Sequence, residues 1–188
     1  MPSVHGVSGH QFFGWDDVDG PTEADFWRMV SGQIAGVEID ADGWRAHRLD
    51  AGVVSGRVIG GNLWGLMCIA GTPWMPPTEG AVVLVEAMRG TFEEVDRALT
   101  HLRLAGVFDS IAAVVVGEPV GWDKGDAPDH GTDELVLRCV GGRFPVVSGV
   151  AFGHQERKLQ FPIGCRIELD LRGESPALRY LEDLVGPA

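Results

Sequence analysis

Two side chains in this sequence stand where acid–base chemistry is commonly done. Glu86 closes the apolar run Ala81 to Glu86 (AVVLVE). A carboxylate at the C-terminal end of a buried strand lies at the edge where open α/β sheets gather ligands and catalytic groups. The plainer alternative is a strand-ending residue whose head reaches water. His154 follows another apolar run, Pro145 to Val150, within Phe152-Gly153-His154-Gln155-Glu156-Arg157. A histidine beside a glycine on a loop after a strand comes close to a bound substrate; the alternative is an imidazole bonded to a backbone carbonyl. A carboxylate that orients an imidazole is the base half of a nucleophilic triad.

Other motifs are weaker. Gly6-Val7-Ser8-Gly9 is the nearest approach to a nucleophile turn, and no GxSxG elbow is present. Gly56 to Gly61 has neither the spacing nor the downstream lysine of a phosphate-binding loop. His5, His10, Asp16 and Asp17 fit no metal-ligand spacing and read as a loop, so neither metal nor cofactor is expected. Cys68, Cys139 and Cys165 lie far apart in apolar surroundings, which predicts buried thiols in a reducing compartment. Fifteen Lys and Arg against 27 Asp and Glu give a net charge of −12, which argues against a nucleic-acid partner. No apolar run approaches the ~20 residues needed to span a bilayer. Met1 to His10 lacks a basic and an apolar region, so no secretory signal is read there and the expected location is cytoplasmic.

The elements that must position Glu86 and His154 alternate in type. Residues 1–20 carry no period and read as a loop or linker, with the domain running over 21–188. A short helix is expected over Glu23 to Ser31, and short β-branched strands between Val37 and Ile59. Asn62 to Ala70 reads as a buried helix. After the strand ending at Glu86, Thr91 and Glu94 form a capping box that opens a helix with Phe92, Val95, Leu99, Leu102 and Ala105 on one face. Ile111 to Val116 is a strand, Gly117 to Gly131 a long polar loop, Thr132 to Cys139 a helix and Pro145 to Val150 a strand. Lys158 to Phe161 and Cys165 to Leu171 read as a hairpin-like pair, and Ser175 to Leu184 as a short helix. This order is that of an α/β domain with extra β structure at both ends.

The strings GGNLWGLMCIAGTPWMP (Gly60 to Pro76), VDRALTHLRLAGVF (Val95 to Phe108) and FGHQERKLQFPIG (Phe152 to Gly164) resemble the C-terminal domain of the LD-carboxypeptidase family, which includes the microcin C immunity peptidases. The resemblance runs from about Trp15 to about Asp170. It implies a mixed or swivelling, barrel-like sheet with flanking helices. It also implies cleavage of an amide bond next to a D-amino acid by a Ser-Glu-His triad. The family's glutamate falls on Glu86 and its histidine on His154, and its glycine-asparagine turn near the substrate falls on Gly61 and Asn62. The expected site is a hydrogen-bonded Glu86–His154 pair in a cleft lined by Asn62, Trp64 and the loop around Trp122.

The sequence departs from the family pattern at Val7, Ala87 and Glu94, where proline, aspartate and arginine are usual. The family's serine lies in a preceding flavodoxin-like domain with no counterpart in these 188 residues, so it is expected from a partner. Three alternatives stay open: a stand-alone domain running isomerisation, cyclisation or elimination on the same pair; a non-catalytic binding module; and a decayed gene product. The expected partners are a small-molecule or peptide substrate and a second copy of the chain, the latter covering Phe12, Phe13, Trp15 and Trp27.

Overall fold

The computed structural model describes residues 2–7, 20–39, 41, 43–47, 52–121, 131–173 and 175–184. Four helices are described: α1 (Gly20–Ser31), α2 (Leu63–Ile69), α3 (Phe92–Leu104) and α4 (Thr132–Val140). The strands are β1 (Ser3–His5), β2 (Glu38–Ile39), β3 (Arg45–His47), β4 (Val53–Asn62), β5 (Val82–Glu86), β6 (Ala113–Gly117), β7 (Val146–Val150), β8 (Phe161–Ile163), β9 (Arg166–Asp170) and β10 (Ala177–Tyr180). Eight form one mixed sheet in the order β2-β10-β9-β4-β5-β6-β7-β3, while β1 and β8 pair separately.

At the parallel centre β4-β5-β6-β7, the inner strands β5 and β6 are nearly unbroken Val, Leu and Ala, as strands buried on both faces require. Successive side chains divide between two cores. Val83, Val85, Val114 and Val116 pack with Leu63 and Leu66 of α2, Val95, Leu99 and Leu102 of α3, and Leu135 and Val136 of α4. Val82, Leu84, Val115 and Val147 pack with Met29 of α1, Phe152, Phe161 and Tyr180. The capping box at α3 is formed in full: Glu94 N donates to Thr91 Oγ1 at 3.3 Å, and Thr91 N donates to Glu94 Oε2 at 2.8 Å. No helix among the described residues is long and apolar enough to cross a membrane.

Strand β4 sets the frame of the site. Its first half, Val53 to Arg57, pairs antiparallel with β9; its second half, Val58 to Asn62, pairs parallel with β5. That register ends with Asn62 opposite Glu86.

Several expectations from sequence are corrected. Within 1–20, Ser3 to His5 form β1, paired antiparallel with β8. The supposed hairpin is therefore two strands with different partners, since β9 pairs with β4 and β10. The tail is strand β10, whose Leu178 and Tyr180 are buried at period two. Helix α2 buries only one face, and Cys68 is exposed; Cys139 and Cys165 are buried as expected, and burial raises both thiol pKa values.

Candidate active site

Glu86 is 1 % exposed at the end of β5, and both its carboxylate oxygens are engaged. Asn62 Nδ2 donates to Oε1 at 2.8 Å, and His154 Nδ1 lies 3.1 Å from Oε2. An ionised carboxylate only accepts, so this contact assigns the ring proton to Nδ1 and leaves Nε2 as the basic nitrogen. The His154 side chain is 37 % exposed, and its Nε2 bonds to no described residue. A buried carboxylate thus stands behind a half-open imidazole, the geometry that fixes a tautomer.

Local structure explains each position. Asn62 is also the N-cap of α2, its Oδ1 accepting from Trp64 N at 3.1 Å and Gly65 N at 3.3 Å. One amide therefore caps a helix with its oxygen and holds Glu86 with its nitrogen. His154 sits on a loop pinched at its neck by the bond from Leu159 N to Ala151 O, 2.7 Å. The loop is pinned to α1, where Thr22 Oγ1 accepts from Lys158 N at 2.9 Å and Asp25 Oδ2 accepts from Gln160 N at 2.6 Å. Thr22 and Asp25 are buried, and burial raises the Asp25 pKa against the pull of Gln160 N and Arg28. Gly153 has φ +98°, and a Cβ there would lie 2.7 Å from Glu86 Oε2. Only glycine lets the loop backbone approach the carboxylate this closely.

Glu86, His154, Asn62 and Gly61 are thus brought together by β4, β5 and the loop after β7. Trp64 lies on the first turn of α2, donates from Nε1 to Met88 O at 3.1 Å, and lines a cleft of about 360 Å³ with Met67, Met88 and Arg89; contrary to expectation, Asn62, Glu86 and His154 do not line that cleft. Trp122 and Ser8 fall outside the described residues, as do Phe12, Phe13 and Trp15. Two features escaped the sequence reading. His5 stands beside the pair, its ring over the backbone of Gly61 and meeting Phe152 edge-on at 5.7 Å. Away from β5, His47, Ser148 and Asp133 converge: His47 Nε2 is 3.1 Å from Ser148 Oγ and 3.7 Å from Asp133 Oδ2. The same nitrogen faces both groups and Ser148 is buried, so the carboxylate does not orient the ring from Nδ1 as a triad requires. Among the described residues no three His, Cys, Asp or Glu converge as a metal site.

Residues 55–169 match the family described as the LD-carboxypeptidase C-terminal domain. The microcin C7 self-immunity protein MccF of Escherichia coli is 31% identical over 121 residues, covering 64% of this chain and 35% of that protein. A probable murein peptide carboxypeptidase of Bacillus subtilis is 26% identical over 175 residues, covering 90% of this chain and 53% of that one. Among solved structures, a muramoyltetrapeptide carboxypeptidase from Oxalobacter formigenes superposes with a TM-score of 0.79 at 26% identity, over 97% of this chain and 62% of the other. MccF in complex with glutamyl sulfamoyl guanosine superposes at 0.82 with 22% identity, over 98% and 62%. The chain thus spans between about a third and a half of the curated relatives' length in these matches.

Proposed function

The chain belongs to the LD-carboxypeptidase family through that family's C-terminal domain, and from that membership we propose that it supplies the base half of a serine-type centre cutting an amide next to a D-amino acid. The observation that carries this reading is the 3.1 Å contact between His154 Nδ1 and Glu86 Oε2, with Nε2 unbonded among the described residues. In the proposed mechanism His154 Nε2 takes the proton of a serine hydroxyl as the serine attacks the amide carbonyl, then returns it to the leaving amine. Glu86 holds the tautomer and balances the imidazolium, and Asn62 holds Glu86. The serine comes from outside these 188 residues, from another part of the same polypeptide or from a separate one. The substrate is a small molecule or peptide lying against Trp64 and Met88. The molecules bound in solved complexes of MccF, glutamyl sulfamoyl guanosine and aspartyl sulfamoyl adenosine, are of that size class. A second copy of the chain covers Trp27 and Val30, which are about half exposed on α1.

The test is release of D-alanine from an LD-linked muramoyl tetrapeptide. The 188 residues alone should be silent, and the same chain joined to a serine-bearing domain of the family should turn over. Cleavage by the 188 residues alone would place a nucleophile within them and overturn the reading.

A further inference from the structure

We propose that His5 acts on the Glu86–His154 pair as a second imidazole held uncharged beside it, which leaves the charge of Glu86 to His154 alone. The inference rests on the reading of Glu86 and His154 given above and adds a group which that reading does not use.

The placement of His5 is over-determined. Strand β1 sets His5 opposite Phe161 in β8, and Val7 N donates to Gln160 Oε1 at 3.0 Å, tying down the residues that follow. The ring lies over the backbone of Gly61: a Cβ on that glycine, at φ +132°, would be 2.7 Å from His5 Cδ2 and 3.1 Å from Nε2. Gly61 adjoins Asn62, which holds Glu86 Oε1. On another side the ring meets Phe152 edge-on, two residues before His154. His5 therefore touches the chain beside both groups that contact the carboxylate.

Its protonation state follows from one atom. Nδ1 of His5 is buried and bonds to no other residue among those described. A neutral ring with its proton on Nε2 leaves an idle lone pair on Nδ1. A protonated ring would leave a buried N–H with no acceptor beyond the backbone of His5 itself, the more costly orphan. Burial, the largest influence, also lowers the pKa of His5; the charge of Glu86 raises it, that of His154 lowers it, and a hydrogen bond to the His5 backbone raises it. These two are the titratable groups acting on His5; its other neighbours, Gly61, Phe152 and Phe161, carry no charge. If His5 took a proton, its charge would compete with the His154 N–H for the one carboxylate, and the bond that fixes the His154 tautomer would weaken.

The test is imidazole 1H–15N correlation spectroscopy on the uniformly 15N-labelled chain across an acid titration, for the wild type and for His5→Gln. The expected wild-type spectrum shows His5 as the neutral Nε2–H tautomer at neutral pH. It takes up a proton only below the ordinary histidine range, and the His154 Nδ1–H signal shifts or is lost in that same step. In His5→Gln the His154 signal persists at neutral pH and that step is missing. Three results would overturn the proposal: a charged or Nδ1–H His5 at neutral pH, a His154 signal indifferent to His5 protonation, or the same step surviving in the variant. The tautomer is read on the wild type, so the test holds even where the variant fails to fold. Absence of any bonded His154 Nδ1–H signal in the wild type would instead defeat the reading of the pair, and the role of His5 with it.

Discussion

Alanine at position 153 puts the geometry around Glu86 under direct strain. Its Cβ would sit 2.7 Å from Glu86 Oε2 and 2.9 Å from Cδ and Cγ, whereas ordinary contact begins at 3.4 Å. The carboxylate must retreat by 3.4 − 2.7 = 0.7 Å. A long side chain on the surface would turn aside at little cost. Glu86 is buried and both its oxygens are bonded, so retreat breaks something. Half of that movement along the His154 bond stretches it from 3.1 Å to about 3.5 Å, and all of it to about 3.8 Å, beyond a hydrogen bond. Alanine at φ +98° adds about 1–2 kcal/mol of backbone strain. For a chain of this size that alone lowers the melting temperature by about 2–8 °C. Gly153→Ala should therefore lose the bonded His154 Nδ1–H signal and melt earlier by at least that amount. A variant with the wild-type imidazole signal and an unchanged melting temperature would refute the claim that the loop backbone is packed against the carboxylate.

Three further outcomes follow from the same structure. Leu99 is fully buried between α3 and the sheet, so Leu99→Ala should cost about 2–5 kcal/mol, read from urea unfolding at constant slope. Asn62→Asp keeps an oxygen to cap α2 but faces Glu86 Oε1 with a second carboxylate; it should leave helix content intact by circular dichroism while abolishing tetrapeptide cleavage in the complete enzyme, whereas Asn62→Ala should also lose the cap, about 1 kcal/mol. Because the folded pKa of His5 lies below the unfolded value of 6.5, the unfolded chain binds more protons in that window. Stability should then fall as pH drops from 6.5 towards the lowered value, and His5→Gln should lose that slope in urea midpoints taken across the range. Asp25, whose pKa is raised by burial, acts with the opposite sign above pH 3.8, but it is common to both proteins and cancels in the difference.

What the sequence disclosed is what local chemistry encodes. Thr91 and Glu94 name the start of α3 because both capping bonds span three residues. The run ending at Glu86 shows a doubly buried strand, and the strand end shows where a functional carboxylate belongs. The errors lie where partners are distant. Pro162 and Gly164 look like a hairpin turn, yet β8 belongs to β1, which precedes it by more than 150 residues. β10 has only four residues, too few for its alternation of Leu178 and Tyr180 to stand out in the segment read as a helix. His5, read as part of a loop, hid its place beside the site for the same reason: its strand has three residues, and it reaches the site only through pairing with β8. The double use of Asn62 depends on the β4–β5 register, which no short window contains.

The central claim is that Glu86 and His154 act together as the base for a serine, and the rate of D-alanine release from an LD-tetrapeptide by the complete, serine-bearing enzyme tests it most directly. His154→Ala should lower kcat/KM by about 100-fold or more, the range expected for a positioned general base. Glu86→Gln should also lower it, and the double substitution should cost little more than His154→Ala alone, as residues acting as one unit do. Wild-type rates in His154→Ala, or losses that multiply in the double variant, would contradict the account.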